Sequence, residues 1–426
     1  MNILVVSESS WNDKDSLGNT LNNWFSGWND NFYHFFTRKL CPNNDIVKMY
    51  YSLSSKDIIK GFFRFNICGK TFSKDDICDV KNYFEKESLN EQKTINLVHS
   101  KKNKTLYYLN DFVWNSKIWF NKHTKRFLES IKPDIIFALS KSANITKPIV
   151  SFCKKKYGTK LVVFAADEMY SQYKNELPLR RKSLIRRFKW ILKNADLLYT
   201  ASESMRHFYL EKFGINASVI TKGCDLSMGV QNNKPKDRLD LVYAGNLLYG
   251  RDDVLVEICN AVQIHNDNKE LAIHIDIITT SSNESALNKF IPFSSFVTIY
   301  HSMPYEMVKK KMNSAHYVLM AESFDSLNVQ VTRCSFSTKV IDCLQSGSGI
   351  LNVGPTEIET IRFLSHIDGV ITVDSLEKLK NTLSLITNNF ELSYLNALKI
   401  REFASTYYSV DSIRNRMIND FNGMIR

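Results

Sequence analysis

The sequence is most informative at first through what it lacks. Its eight cysteines (Cys41, Cys68, Cys78, Cys153, Cys224, Cys259, Cys334 and Cys343) are scattered, with no C-x-x-C pair and no histidine cluster beside them. That argues against a zinc site and against a disulfide framework. It fits a reducing cytosol in which cysteines serve as small buried hydrophobes. No apolar run approaches the length of a membrane span, the longest being stretches such as 161–166. The opening MNILVVSESS has no basic n-region and its apolar run stops at Val6, so it reads as a first strand and not as a signal peptide. No repeat of fixed period and no long low-complexity tract is present. Helix-turn-helix, RNP and zinc-finger patterns are also missing, which argues against nucleic acid as a partner.

What is present describes a globular chain of two domains. Its 426 residues are 44% hydrophobic and 23% charged, ordinary values for a protein with a real core. The net charge of +12 points to an anionic partner. Short apolar runs with the look of buried parallel strands recur at 2–6, 134–139, 160–166, 195–202 and 217–221. They recur again at 240–246, 273–279, 296–301, 316–321, 349–354 and 369–373. Segments of helical periodicity separate most of them. The expected fold class is therefore α/β, with two Rossmann-like doubly wound domains. The break falls in the polar stretch 224–240, which holds Gly, Pro and Asn. This places the first domain at 1–224 and the second at 237–408, with an amphipathic closing helix at 409–425. Residues 50–130, rich in Lys, Asn and aromatics, read as a hairpin insertion plus helices.

Two stretches of the second half carry candidate chemistry. In YAGNLLYGR (243–251) a strand ends at Ala244, Gly245 and Asn246 follow, and a helix starts near Asp252. A glycine after a strand lets backbone approach a ligand, and a helix N-terminus offers N–H groups to an anion. Arg251 would fork onto a phosphate, a contact of about 1.5–3 kcal/mol. The same stretch reads equally as a plain βα turn with a surface Arg. In CSFSTKVIDCLQSG (334–347), Ser337 or Thr338 caps a helix whose buried side is Val340, Ile341 and Leu344. Lys339, Asp342 and Ser346 fall on one polar face. A lysine in the first turn opposes the helix dipole, at a cost of roughly 0.3–1 kcal/mol. A solvated Lys–Asp pair is one reading. A diphosphate docked at the helix start, with Asp342 accepting hydrogen bonds from sugar or ribose hydroxyls, is the other.

On these residues the second half resembles the nucleotide-sugar domain of GT-B glycosyltransferases of the family-4-like kind. There a strand, a glycine and a basic pair precede the first helix of the domain. Arg251 falls on the second basic place, and Asn246 stands where an Arg is usual. An acidic residue followed five positions on by Gly is the later motif. Asp342 and Gly347 match it, and Thr338-Lys339 match the Ser/Thr-Lys that many polysaccharide-pathway relatives carry. The family's partner Glu is replaced by Cys334, and Glu322 at the end of the preceding strand is the substitute the resemblance suggests. In the first half, 16–28 follows the first strand and begins a helix at Gly18-Asn19, which resembles the place of the family's glycine loop that faces donor and acceptor. Asp167 and Glu168 resemble its acceptor-facing strand end. Ser202, Gly223 and Asp225 match the run before the interdomain linker.

The resemblance implies two domains facing a cleft, a hinge at 224–240, and a last helix crossing back to the first domain. It implies a UDP- or GDP-type sugar as donor, a glycan or lipid-linked acceptor, and retention of the anomeric configuration. In the roles it implies, Arg251 and Lys339 neutralise the leaving group in place of a metal. Asp167 or Glu168 serves the acceptor or a proton transfer, and Gly18, Gly245, Asn246, Glu322, Ser337, Thr338 and Asp342 surround the donor. No cofactor or metal is expected. Two other readings stay open. One is a non-catalytic scaffold of the same fold, favoured by Cys334 and Asn246; the other is a sugar-nucleotide epimerase.

The stretch 179–195 holds seven basic residues and no acid. Leu184, Phe188, Ile191 and Ala195 form an apolar stripe, and Lys182, Arg186, Lys189 and Lys193 a basic one. Residues 101–127 interleave Lys with Tyr, Trp and Phe. Such mixtures suit an anionic membrane surface, which would make the protein peripheral at the inner face of the cell membrane. A solvated helix face is the plainer reading.

Overall fold

β-branched and aromatic runs bounded by turn residues become strands in the computed structural model. It describes residues 1–12, 16–38, 40–63, 69–85, 104–166, 169–173, 176–234, 237–268, 271–301, 303–334 and 336–425. The chain divides into two compact units. The first comprises residues 1–220 together with 414–426, the second 221–413.

The first unit is built on an eight-stranded sheet in the order β4-β3-β2-β1-β5-β6-β7-β8. Its strands are β1 (Asn2–Ser7), β2 (Asn31–Phe36), β3 (Val47–Ser52), β4 (Lys70–Ser73), β5 (Ile135–Leu139), β6 (Lys160–Ala165), β7 (Leu197–Thr200) and β8 (Ser218–Val219). All pair in parallel except β4, which runs antiparallel to β3. The helices that matter below are α1 (Ser16–Phe25), α2 (Ser55–Phe63), α3 (Lys104–Asn115), α4 (Ala143–Tyr157), α5 (Pro178–Asn194) and α6 (Glu203–Phe213). Every apolar run expected in this half is a strand. β2, β3 and β4 are three further strands, of which only β4 lies wholly within residues 50–130. Aromatic rings fill the core: Trp24 and Phe25 of α1 pack edge-on against Phe137 of β5, and Trp24 meets Phe164 of β6 at 4.8 Å.

The second unit has a six-stranded, all-parallel sheet in the order β11-β10-β9-β12-β13-β14. These are β9 (Arg238–Ala244), β10 (Ala272–Thr279), β11 (Val297–His301), β12 (Tyr317–Ala321), β13 (Gly349–Val353) and β14 (Val370–Val373). Side chains alternate across the sheet, as the period of two requires. Leu239, Leu241 and Tyr243 of β9 join Leu255, Ile258 and Val262 of α7 (Arg251–Asn266) on one face. Val242 joins Val340, Ile341 and Leu344 of a short helix on the other. The order reverses between β9 and β12, so a crevice opens beyond their carboxyl ends, where open α/β sheets bind ligands. Further helices are α8 (Tyr305–Ser314), α9 (Lys339–Gln345), α10 (Glu391–Tyr407) and α11 (Val410–Ile425). From Arg414 onward, α11 belongs to the first unit: Phe421 meets Trp28 at 5.3 Å, and Tyr199 donates to Asp420 at 2.6 Å. Among the described residues no helix is long and apolar enough to cross a membrane. The seven cysteines among them form no disulfide.

Candidate functional site

The two strands that flank the reversal supply the site. β9 ends at Ala244, and the loop 245–250 turns into α7 through Tyr249 and Gly250, at φ of 60° and 71°. Only glycine takes such a conformation without strain, so Tyr249 marks a backbone held in place by its surroundings. Gly250 caps α7 without a side-chain hydrogen bond.

Arg251 opens that helix, buried at 7% exposure, and its guanidinium reaches across to Glu322 just past β12, itself 2% exposed. Nε and one terminal nitrogen donate to the two carboxylate oxygens at 3.1 and 2.8 Å. The other terminal nitrogen donates to Asn246 Oδ1 at 2.8 Å. Asn246 thus occupies the usual place of an Arg but serves to orient the Arg five positions on. Its Oδ1 also accepts from Leu248 N, and its carbonyl accepts from the Tyr243 hydroxyl at 2.6 Å. Each oxygen of Glu322, a residue expected beside the donor, accepts from Arg251, which fixes the guanidinium. A guanidinium has five N–H groups, so two remain after these three bonds.

Lys339 comes to the same place from the opposite face. It is the first residue of α9, and Nζ donates to the Tyr243 hydroxyl at 3.2 Å while lying 5.2 Å from its ring centre. Gly245 makes this approach feasible. A Cβ there would stand 2.3 Å from Nζ and 2.4 Å from Cε. Lys339 forms no ion pair among the described residues. Burial, and then the charge of Arg251, push its ammonium down to about 8. Glu322 pairs with Arg251 and Asp342 with Lys222, so both carboxylates act on Lys339 only at longer range and leave its charge unpaired.

Asp342 turns elsewhere. Its Oδ1 accepts from the Tyr305 hydroxyl at 2.6 Å and from Lys222 and Gln345, each at 3.3 Å. The Lys339–Asp342 pair considered from the spacing is not made, and Ser346 is not on a polar face. Ser346 is buried, with its hydroxyl donating to Cys343 O at 2.7 Å. The helix spans Lys339–Gln345, one turn beyond Ser337, whose Oγ accepts from Lys339 N at 3.3 Å. Thr338 precedes it exposed and makes no capping bond. Cys334 is half-buried.

In the first unit, α1 starts at Ser16, ahead of the expected Gly18-Asn19. Gly18 is required by its neighbour: a Cβ would stand 1.8 Å from the Asn12 carbonyl oxygen. That contact accounts for the glycine without a ligand. Asp167 and Glu168 lie outside the described residues. Reading the sequence missed Tyr243, Tyr305 and Lys222. Tyr243 alternates onto a face already counted as core, and the other two act through partners 37 and 120 positions away.

No protein-family model matches the chain, and no curated protein matches it in sequence. Solved structures do match it. Sucrose-phosphate synthase from Thermosynechococcus elongatus aligns over 99% of this chain and 98% of its own, with a TM-score of 0.63 at 11% identity. Anabaena HepE, solved with UDP and glucose, aligns over 99% of both chains with a TM-score of 0.64 at 9% identity. The E. coli trehalose-6-phosphate protein, solved with UDP-2-fluoro glucose, aligns over 98% of both with a TM-score of 0.59 at 9% identity. With two Rossmann-like units and full-length alignment to these structures, the chain has the GT-B fold.

Proposed function

We propose that the protein is a glycosyltransferase that moves a sugar from a nucleoside-diphosphate sugar to a glycan or lipid-linked acceptor. The observation that carries this reading is the unpaired Lys339 ammonium, held against Gly245 beside the oriented Arg251, at the reversal point of the second sheet. Structural neighbours bound to UDP support it. In this reading the diphosphate lies between the 245–250 loop and the start of α9. Lys339 and the two remaining Arg251 N–H groups stabilise the charge that grows on the leaving phosphate, which is the electrostatic work a metal would otherwise do. Ser337 and Thr338 present hydroxyls at the same helix start. Asp342 offers a donor hydroxyl its Oδ2, since Tyr305, Lys222 and Gln345 all bond to Oδ1. Asp167 or Glu168 serves the acceptor, and the anomeric configuration is retained.

The test is nucleotide release from a panel of UDP- and GDP-sugars, with and without glycan acceptors, in wild type and Lys339→Ala. Release that depends on Lys339 supports the transferase. Epimerised sugar without transfer favours the epimerase reading. Nucleotide binding with no turnover of any donor favours a scaffold, the reading that Cys334 in place of a carboxylate would suit.

Unit 1 also exposes Phe62, Phe63, Phe112 and Leu179, on α2, α3 and α5. The basic stripe of α5, at Lys182, Arg186, Lys189 and Lys193, is exposed as well. We propose that this surface meets an anionic membrane, as a lipid-linked acceptor requires.

A further inference from the structure

A cavity of about 460 Å³ opens in the first unit at the end of α3, the start of α4 and the middle of α5. Its wall carries Lys117, Lys147, Arg186 and Arg187, and no carboxylate. Four cations in one concavity repel one another, and low-dielectric walls concentrate their field.

Arg187 is the best placed of the four. One terminal nitrogen donates to Asn115 Oδ1 at 2.9 Å. The other is buried without a hydrogen-bond partner, 3.7 Å from Asp111. Asp111 Oδ1 faces it at ion-pair range but too far for a hydrogen bond, while Asp111 Oδ2 accepts from Arg180 Nε at 2.7 Å. A guanidinium stays charged in proteins, so a buried N–H edge of this kind lacks an acceptor.

The helix α4 adds to the demand. Its first residues, Ala143 and Asn144, line the cavity, and its N-cap Ser142 makes no capping hydrogen bond. The helix continues directly from a 3-10 turn at Ser140–Ser142, so it is the positive dipole end that lies near the cavity wall. Lys147, one turn on, lies 5.0 Å over the Trp190 ring. Trp114, 3% exposed, supplies an apolar surface.

We infer that this cavity binds a phosphate-bearing anion, either a phosphomonoester or a diphosphate, with Arg187 forking onto it and Lys147, Lys117 and the α4 N-terminus around it. The volume lies within the range of small-molecule pockets, so part of the group that carries the phosphate is accommodated too. The site does not depend on the donor reading of the second unit. The phosphate can come from a lipid headgroup or from a soluble phosphorylated compound.

Lysine acetylation of the full chain, read peptide by peptide by mass spectrometry, tests this locally. The probes are inorganic pyrophosphate, phosphatidylcholine vesicles with phosphatidylglycerol, and phosphatidylcholine vesicles alone. A probe that fills the cavity at about ten times its dissociation constant slows modification of Lys117 and Lys147 roughly tenfold and leaves Lys380, exposed in the second unit, unchanged. Arg187→Gln moves the protection midpoint up by about tenfold or more, the loss of one charge-assisted contact. Should that variant fail to fold, Arg186→Gln, at an exposed position, moves the midpoint in the same direction. Protection by pyrophosphate but not by anionic vesicles supports a soluble ligand. Protection by anionic vesicles, and not by neutral ones, supports a headgroup. The proposal is overturned if neither anion protects, if neutral vesicles protect as well as anionic ones, if Lys380 is protected equally, or if the folded variants keep the wild-type midpoint.

Discussion

At Gly245 one missing methyl group decides where a charge lies. The atoms a Cβ would meet are the far end of the Lys339 side chain, which can swing away, so the backbone keeps its Gly245 N to Ile278 O bond of 2.9 Å. Gly245→Ala is therefore expected to change stability by no more than about 1 kcal/mol while lowering nucleoside-diphosphate affinity roughly tenfold. A urea melt and a calorimetric titration of the same variant check both halves, and unchanged affinity would remove Lys339 from the donor site. The pH response has a definite sign. The free Lys339 ammonium, lowered to about 8 first by burial and then by Arg251, is protonated below that pH and increasingly neutral above it. A bound diphosphate favours the charged form. Affinity is then flat on the acid side and falls as pH rises through about 8. Lys339→Arg, charged throughout, flattens that fall between about pH 7 and about pH 9. Arg251→Met is different in kind, since it leaves the Glu322 carboxylate buried and unpaired. A loss of about 3–5 kcal/mol in unfolding free energy is expected by chemical denaturation, and loss under 1 kcal/mol would show that water reaches the pair.

Among elements, the closing helix α11 is tied most clearly to a remote part of the chain. Phe421 is fully buried against Trp28 and Phe25, Tyr199 holds Asp420, and Arg414 donates to Asn23 O at 2.7 Å. Phe421→Ala is expected to cost about 3–5 kcal/mol of first-unit stability. Limited proteolysis should then cut α11 early, and a tail as resistant as wild type would contradict the packing. The existence of this helix was legible from its amphipathic period, and the strands of the second unit were legible from their apolar runs. β2 was not. In NFYHFF the polar His34 is fully buried, hydrogen-bonded to Ser7 at 2.9 Å and stacked on Phe36, so its hydropathy misstates its place. The site was legible in part for a related reason. Gly245, Arg251 and Lys339 could be found because each stands at a strand or helix boundary. The partners that define what they do, Glu322 for Arg251 and Tyr305 for Asp342, lie 71 and 37 positions away and are set by strand order. Spacing on one helix left a Lys339–Asp342 pair open as one reading, and in the structure the two residues turn to different partners.

For the whole molecule, each unit carries a core of its own. The second has two apolar layers, one on each face of its sheet. The first has the ring cluster around Trp11, Trp24 and Phe25. A chain of this kind need not unfold in one step, because cooperative melting of a single domain does not extend to a pair with separate cores. The residues proposed to hold the donor, Gly245, Asn246, Arg251, Glu322 and Lys339, all belong to the second unit. A nucleotide that binds them stabilises that unit by mass action, by about 2.7 kcal/mol at one hundred times its dissociation constant. Differential scanning calorimetry with UDP or GDP should therefore raise the melting of the second unit and leave that of the first in place. Phe421→Ala marks which transition is which, because it lowers the first alone. If the nucleotide instead raised only the transition that Phe421→Ala lowers, the donor would bind in the first unit and the roles given to Arg251 and Lys339 would fall. Pyrophosphate supplies the complementary arm. Its binding in the α3–α4–α5 cavity raises the first transition, and it does so in Lys339→Ala as well as in wild type.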